Sequence, residues 1–118
     1  MNKRIKSFLY AFRGIFDLLS GRHPNALIHL LAIIVVTIAG FYFGLERWEW
    51  VAVVLCFGLV LALEAVNSAI EYVVDLASPE RHPLAGKAKD MAAGAVLIGA
   101  IAAVVVAGII FWPYFIRP

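Results

Sequence analysis

Residues 25–45 read NALIHLLAIIVVTIAGFYFGL, a stretch of 21 residues without a charged side chain. As a helix it rises by about 30 Å, which is the thickness of the hydrocarbon core of a bilayer. A second uncharged stretch covers residues 91–111, and a shorter one covers residues 51–63 and then meets Glu64. We interpret the shorter stretch as the first part of a further span, because it lies between two clear ones. The sequence therefore predicts transmembrane helices over residues 25–45, 51–76 and 91–112.

The composition agrees with a membrane protein. The chain has 118 residues, of which 64% are hydrophobic, so a soluble domain of this length could not bury its apolar surface. A formal net charge of +2 is too small to suggest a nucleic-acid partner. The lone cysteine, Cys56, cannot form an intrachain disulfide. We expect residues 1–118 to form a single integral membrane domain.

Residues 1–22 are expected to form a separate amphipathic helix. Its apolar side chains fall within about a third of the helical circle. They are Ile5, Phe8, Leu9, Phe12, Ile15, Phe16 and Leu19. The basic residues lie mostly on the other side, so the helix is predicted to lie in the membrane interface. Ser20, Gly21 and Pro24 then interrupt it before the first span.

The basic residues also predict the orientation. Residues 1–24 and the segment 77–90 together carry eight of them, whereas the two remaining segments carry Arg47 and Arg117. The positive-inside rule places the first two segments in the cytoplasm. The opposite surface gathers Trp48, Trp50, Trp112 and Tyr114, which is typical of an aromatic belt. Pro113 is expected to end the last helix there.

The middle span contains a polar stripe, formed by Glu64, Asn67, Glu71 and Asp75. Their spacing places them on one helical face over about 16 Å. A carboxylate in hydrocarbon costs several kcal/mol unless it is paired, protonated or hydrated. A seam that only joins helices would suit Asn67 but not three like charges. Since no span offers a Lys or Arg, an external cation such as Mg²⁺ carrying phosphates is the simplest partner.

The segment 78–90 has the complementary chemistry. It holds Arg81, Lys87 and Lys89 together with His82 and lies at the surface where the stripe opens. The two lysines are suited to polyphosphate as point charges, although basic residues also flank any cytoplasmic helix end. No glycine-rich phosphate loop of the Walker kind is present in the sequence.

Residues 64–75 read EAVNSAIEYVVD, and this segment resembles the signature of the prokaryotic diacylglycerol kinase family. Residues 86–91, GKAKDM, and residues 10–14, YAFRG, are also similar to that family. The resemblance extends over nearly the whole chain and includes the number and order of the helices.

The resemblance implies an all-α membrane protein in the bacterial cytoplasmic membrane, assembled as a homotrimer with active sites shared between subunits. Such a protein would transfer the γ-phosphate of ATP, with Mg²⁺, to the hydroxyl of diacylglycerol or undecaprenol at the cytoplasmic surface. By similarity, Glu64 is the general base and Asn67 orients the groups around it, while Glu71 binds the metal. The resemblance assigns ATP binding to Glu71, Asp75, His82, Gly86, Lys89 and Asp90. For Asp75, a role near the nucleotide and a role as a brace for the loop are both open.

The sequence departs from the family pattern before the first span. A glutamate that serves as a second metal ligand is expected there, but residues 21–25 read GRHPN, with His23 nearest to that place. Three explanations are open: one metal is sufficient in this protein, Asp17 or a nucleotide oxygen replaces the missing ligand, or the activity is reduced. His29 matches a histidine of many relatives, and both a core hydrogen bond and a functional role are open for it.

Association between subunits is also expected on physical grounds, in agreement with the trimer that the resemblance implies. Three helices of one chain are not expected to shield Glu64, Asn67 and Glu71 from lipid on every side. Small side chains in the third span would allow close packing between subunits. They are Ala92, Ala93, Gly94, Ala95, Gly99, Ala100, Ala102 and Ala103. The alternatives to a kinase are a non-catalytic scaffold of the same fold and a carboxylate-lined ion or proton conduit.

Overall fold

The computed structural model describes residues 2–117 and contains four helices within that range. They are α1 (Lys3–Leu18), α2 (Pro24–Phe43), α3 (Arg47–Ala77) and α4 (Pro83–Ile116). The last three are long and apolar enough to cross a membrane, and no strand occurs in residues 2–117. The predicted all-α fold with three spanning helices is therefore confirmed.

Helix α1 is amphipathic, as predicted. Asn2 caps it by accepting a hydrogen bond from the backbone N–H of Arg4 at 2.9 Å. The apolar side chains predicted to meet lipid are exposed, from 38% for Leu19 to 80% for Phe16. The neighbouring Leu18 is buried, so only the end of α1 contributes to the protein core.

Two glycines with positive φ lie in the segments that follow the first two helices. Gly21 has φ of 95° in the turn between α1 and α2, and Gly44 has φ of 72° directly after α2. The backbone N–H groups of Gly44 and Leu45 both donate to the carbonyl of Gly40 at 3.0 Å. Helix α2 therefore ends at Phe43, before the predicted end at residue 45, because glycine adopts this conformation without a steric penalty.

Helix α3 begins at Arg47, before the predicted residue 51, because a capping box extends it. Glu46 and Glu49 each accept a hydrogen bond from the other's backbone N–H. Glu49 is 5% exposed and also accepts a hydrogen bond from the hydroxyl of Tyr114. This carboxylate therefore joins the start of α3 to the end of α4.

Helix α4 begins at Pro83, before the predicted residue 91, so most of the segment 77–90, expected to be a loop, is helical. The connection between α3 and α4 is only residues 78–82. His82 caps α4, since its Nδ1 accepts a hydrogen bond from the N–H of Leu84 at 3.1 Å. An uncharged run marks the hydrocarbon core, whereas a helix can continue beyond it, and 34 residues rise by about 51 Å.

The prediction that Pro113 ends the last helix is also wrong, since α4 continues to Ile116. The proline removes the hydrogen bond of its own N–H, but its carbonyl still accepts a hydrogen bond from the N–H of Arg117 at 3.1 Å, so helical bonding continues past it.

Helices α3 and α4 form the main packing interface of the chain. Ala92, Val96 and Gly99 lie on one face of α4 and are buried. A Cβ atom at Gly99 would come within 2.6 Å of Leu63 Cδ1 on α3. Some of the small residues expected between subunits therefore allow close packing within one chain.

Candidate functional site

The polar stripe of α3 runs from a buried end to an exposed end. Glu64 is 3% exposed and Asn67 is 5% exposed, whereas Glu71 and Asp75 are exposed. The expectation that one chain cannot shield the stripe is therefore wrong for Glu64 and Asn67. The reason is that both α2 and α4 contact α3 within the same chain.

The buried end of the stripe contains hydrogen-bond acceptors without donors. Glu64 Oε2 and Asn67 Oδ1 are both inaccessible and lack a hydrogen-bond partner. His29 Nε2 on α2 lies 3.7 Å from Glu64 Oε2, and Asn67 Nδ2 donates to Glu71 Oε1 at 3.3 Å. Buried polar atoms in folded proteins almost always have partners, so an exception of this kind indicates a place for a ligand donor.

An open cavity of about 540 Å³ lies where α3, the connection 78–82 and the first turns of α4 meet. Four of the residues predicted to bind ATP contribute to its wall, namely Asp75, His82, Gly86 and Lys89. Lys89 Nζ donates to Asp75 Oδ1 at 2.6 Å, which joins α4 to α3 at the cavity. The predicted ATP-binding residues Glu71 and Asp90 do not contribute to this wall.

A further cluster of polar side chains surrounds His23, a residue that the sequence identifies only as a departure from the family pattern. Ser68 Oγ is 3.2 Å from His23 Nδ1, and Tyr72 Oη is 3.2 Å from His23 Nε2. Both ring nitrogens of His23 are therefore already engaged, which does not favour metal binding by this side chain. The sequence gives no local signal for these contacts, because 45 or more residues separate the partners.

The same hydroxyl of Tyr72 also contacts α1, where it donates to Asp17 Oδ2 at 2.8 Å. This hydrogen bond lowers the pKa of Asp17, with further lowering by His23 and by Arg22, whose guanidinium is 3.5 Å away. Tyr72 thereby joins the end of the interfacial helix to α3, one residue after Glu71.

No group of three or more His, Cys, Asp or Glu side chains that could hold a metal occurs within residues 2–117. A single exposed carboxylate nevertheless fits Mg²⁺, which is commonly bound by one or two carboxylates together with the phosphates of a substrate. Glu71 offers an exposed carboxylate between the buried acceptors and the cavity.

Comparisons with known proteins agree with the resemblance. The sequence profile of the prokaryotic diacylglycerol kinases matches residues 9–111. The undecaprenol kinase of Bacillus subtilis is 40% identical over 113 residues, which cover 96% of this chain and 91% of that protein.

Two diacylglycerol kinases match over a smaller share of their own length. The enzyme of a Synechocystis species is 41% identical over 91% of this chain and 61% of its own length. The Escherichia coli enzyme is 51% identical over 48% of this chain and 47% of its own length. The chain therefore belongs to the prokaryotic diacylglycerol kinase family, a family of lipid kinases.

Proposed function

We propose that the protein transfers the γ-phosphate of ATP to the hydroxyl of a membrane lipid, with Glu64 as the general base. The observation that carries this proposal is the pair of buried acceptors without donors on Glu64 and Asn67. A lipid hydroxyl entering beside them would donate to the Glu64 carboxylate, which takes up the proton as the hydroxyl oxygen attacks the γ-phosphorus of ATP and ADP leaves.

The nucleotide is proposed to occupy the cavity at the α3–α4 connection, with Lys89 directed to its phosphates. Asp75 would hold the Lys89 ammonium in place, and His82 and Gly86 would line the nucleotide. Asp90, on the turn of α4 that carries Lys89, is proposed to support the site. Asp75 and Glu64 are separated by about 16 Å along α3 of one chain.

Glu71 lies between these two ends and is proposed to bind the Mg²⁺ that accompanies ATP. When bound, Mg²⁺ would neutralise the charge of the phosphates. Asn67 donates from its amide nitrogen to the Glu71 carboxylate and is proposed to orient the groups around Glu64. We propose Glu71 as the single protein carboxylate that binds the metal, because His23 lies where the family has its second carboxylate ligand.

The protein is proposed to lie in the bacterial cytoplasmic membrane with its N-terminus and active site on the cytoplasmic side. The supporting observation is the excess of basic residues in α1 and in the first turns of α4. ATP would then reach the cavity directly from the cytoplasm.

Undecaprenol is proposed as the preferred acceptor, with diacylglycerol as the second candidate. The undecaprenol kinase match covers 91% of that protein's own length, whereas the matches to the Synechocystis and Escherichia coli diacylglycerol kinases cover 61% and 47% of theirs. The protein should be assayed in mixed micelles with radiolabelled ATP and both lipids side by side. We expect phosphorylated undecaprenol as the main product; labelling of neither lipid would contradict the kinase proposal itself.

A homotrimer with shared sites is proposed from the family resemblance and from the exposure of Glu71 and Asp90 in the single chain. Inactive Glu64→Gln chains and inactive Lys89→Ala chains should be mixed in detergent and allowed to reassemble. If each site uses Glu64 from one subunit and Lys89 from its neighbour, about a quarter of the sites in random rings carry both residues. Activity should return to a comparable fraction; mixtures that stay inactive would show that each chain supplies its own site.

A further inference from the structure

His29 lies on α2 opposite Glu64, and the function proposed above assigns it no role. Its side chain is 16% exposed, and its Nε2 lies 3.7 Å from Glu64 Oε2. The two residues are 35 positions apart in sequence and meet because α2 packs on α3. The carboxylate oxygen that His29 approaches is the one that has no hydrogen-bond partner.

The other surroundings of His29 are apolar. It contributes to a cavity of about 170 Å³ between α2, α3 and α4. Apart from His29, Cys56 and Phe57, the residues that line this cavity are aliphatic. A ring nitrogen of His29 beside this apolar wall needs a polar partner. The carboxylate of Glu64 on α3 lies within 4 Å of it and can be that partner.

We propose that His29 is the positioning residue for the Glu64 carboxylate. Its Nε2–H donates to Glu64 Oε2 and fixes the rotation of the carboxylate, so the second oxygen remains available to the lipid hydroxyl. The observed separation exceeds a hydrogen bond by a few tenths of an ångström, and catalytic hydrogen bonds commonly shorten when substrate binds. This inference rests on the proposed function, in which Glu64 is the base.

A histidine that serves only to fill space would behave differently. An apolar side chain of similar size would replace it without loss, since shape alone decides packing. A positioning donor can be replaced only by another donor at the same place. Glutamine places its amide nitrogen close to the position of an imidazole Nε2, and leucine offers no donor.

The kinetic test compares His29→Gln and His29→Leu with the parent protein. We expect His29→Leu to lower kcat by about 10- to 100-fold with little change in KM for ATP, because a misplaced base slows the chemical step. His29→Gln should recover most of this loss. Thr37→Val, which removes a hydroxyl bonded only to the Ile33 carbonyl of the same helix, is the matched control and should retain the parent kcat.

The proposal is overturned if His29→Leu keeps kcat within about threefold of the parent, or if His29→Gln is as impaired as a well-folded His29→Leu. If His29→Leu does not fold, a second measurement tests the contact between His29 and Glu64 directly. In ¹⁵N-histidine-labelled protein, with the His29 signal assigned by its loss in His29→Gln, Glu64→Gln should shift the Nε2 resonance of His29. An unchanged resonance contradicts the contact whether or not the protein is active, whereas a parent inactive on both lipids contradicts only the proposed function.

Discussion

Replacing Glu64 by glutamine is expected to lower phosphotransfer by about 100- to 10,000-fold, the range typical of losing a general base. Glutamine has nearly the same shape as glutamate, but its amide cannot accept the proton of the lipid hydroxyl. Nucleotide affinity should stay close to that of the parent, because the nucleotide cavity lies at the other end of the stripe. Thermal stability should be unchanged or higher, since a buried carboxylate becomes neutral.

The matched control is Glu49→Gln, which alters another buried carboxylate on the same helix. Glu49 is 5% exposed and lies at the far end of α3, where it bonds Tyr114. Glutamine is accepted at this position of a capping box, so activity should remain within about threefold of the parent. A Glu64→Gln protein with activity close to that of the parent would remove Glu64 from the role of base.

Much of the fold could be predicted because lipid imposes a simple rule. An uncharged stretch of 21 residues is long enough to cross the membrane as a helix, so α2 and α4 follow from residues 25–45 and 91–111. Helix α3 follows from the shorter stretch 51–63 because it lies between these two. The ends of the helices follow a different rule. The capping box at Glu46 and the cap at His82 lie outside the hydrocarbon core, where hydropathy carries no information about helix ends.

The sequence predicts which site residues share a face of one helix, but not which residues of different helices meet. Glu64, Asn67, Glu71 and Asp75 share a face because helical geometry fixes their spacing. The approach of His29 to Glu64 and the contact of Tyr72 with Asp17 depend on how separate helices pack. Burial of Glu64 within one chain depends on the same packing, which explains why shielding was wrongly expected to need a neighbouring subunit.

The second large effect is expected at Glu71, where two substitutions separate its possible roles. Glu71 Oε1 accepts a hydrogen bond from Asn67 Nδ2 at 3.3 Å, so its carboxylate serves either as a metal ligand or as an anchor for Asn67. Glu71→Gln keeps an acceptor for the Asn67 amide and removes the negative charge. Glu71→Ala removes both.

If Glu71 binds Mg²⁺, both variants should lose activity by about 100-fold or more, because neutral glutamine is a poor ligand for a hard cation. The Mg²⁺ concentration needed for half-maximal activity should rise in both variants, with partial recovery at high Mg²⁺. The measurement is a magnesium titration of the lipid kinase rate at a fixed ATP concentration, with parent and variants at equal purity. Retention of activity in Glu71→Gln but not in Glu71→Ala would show that the anchoring of Asn67 matters and that the metal is held by other groups.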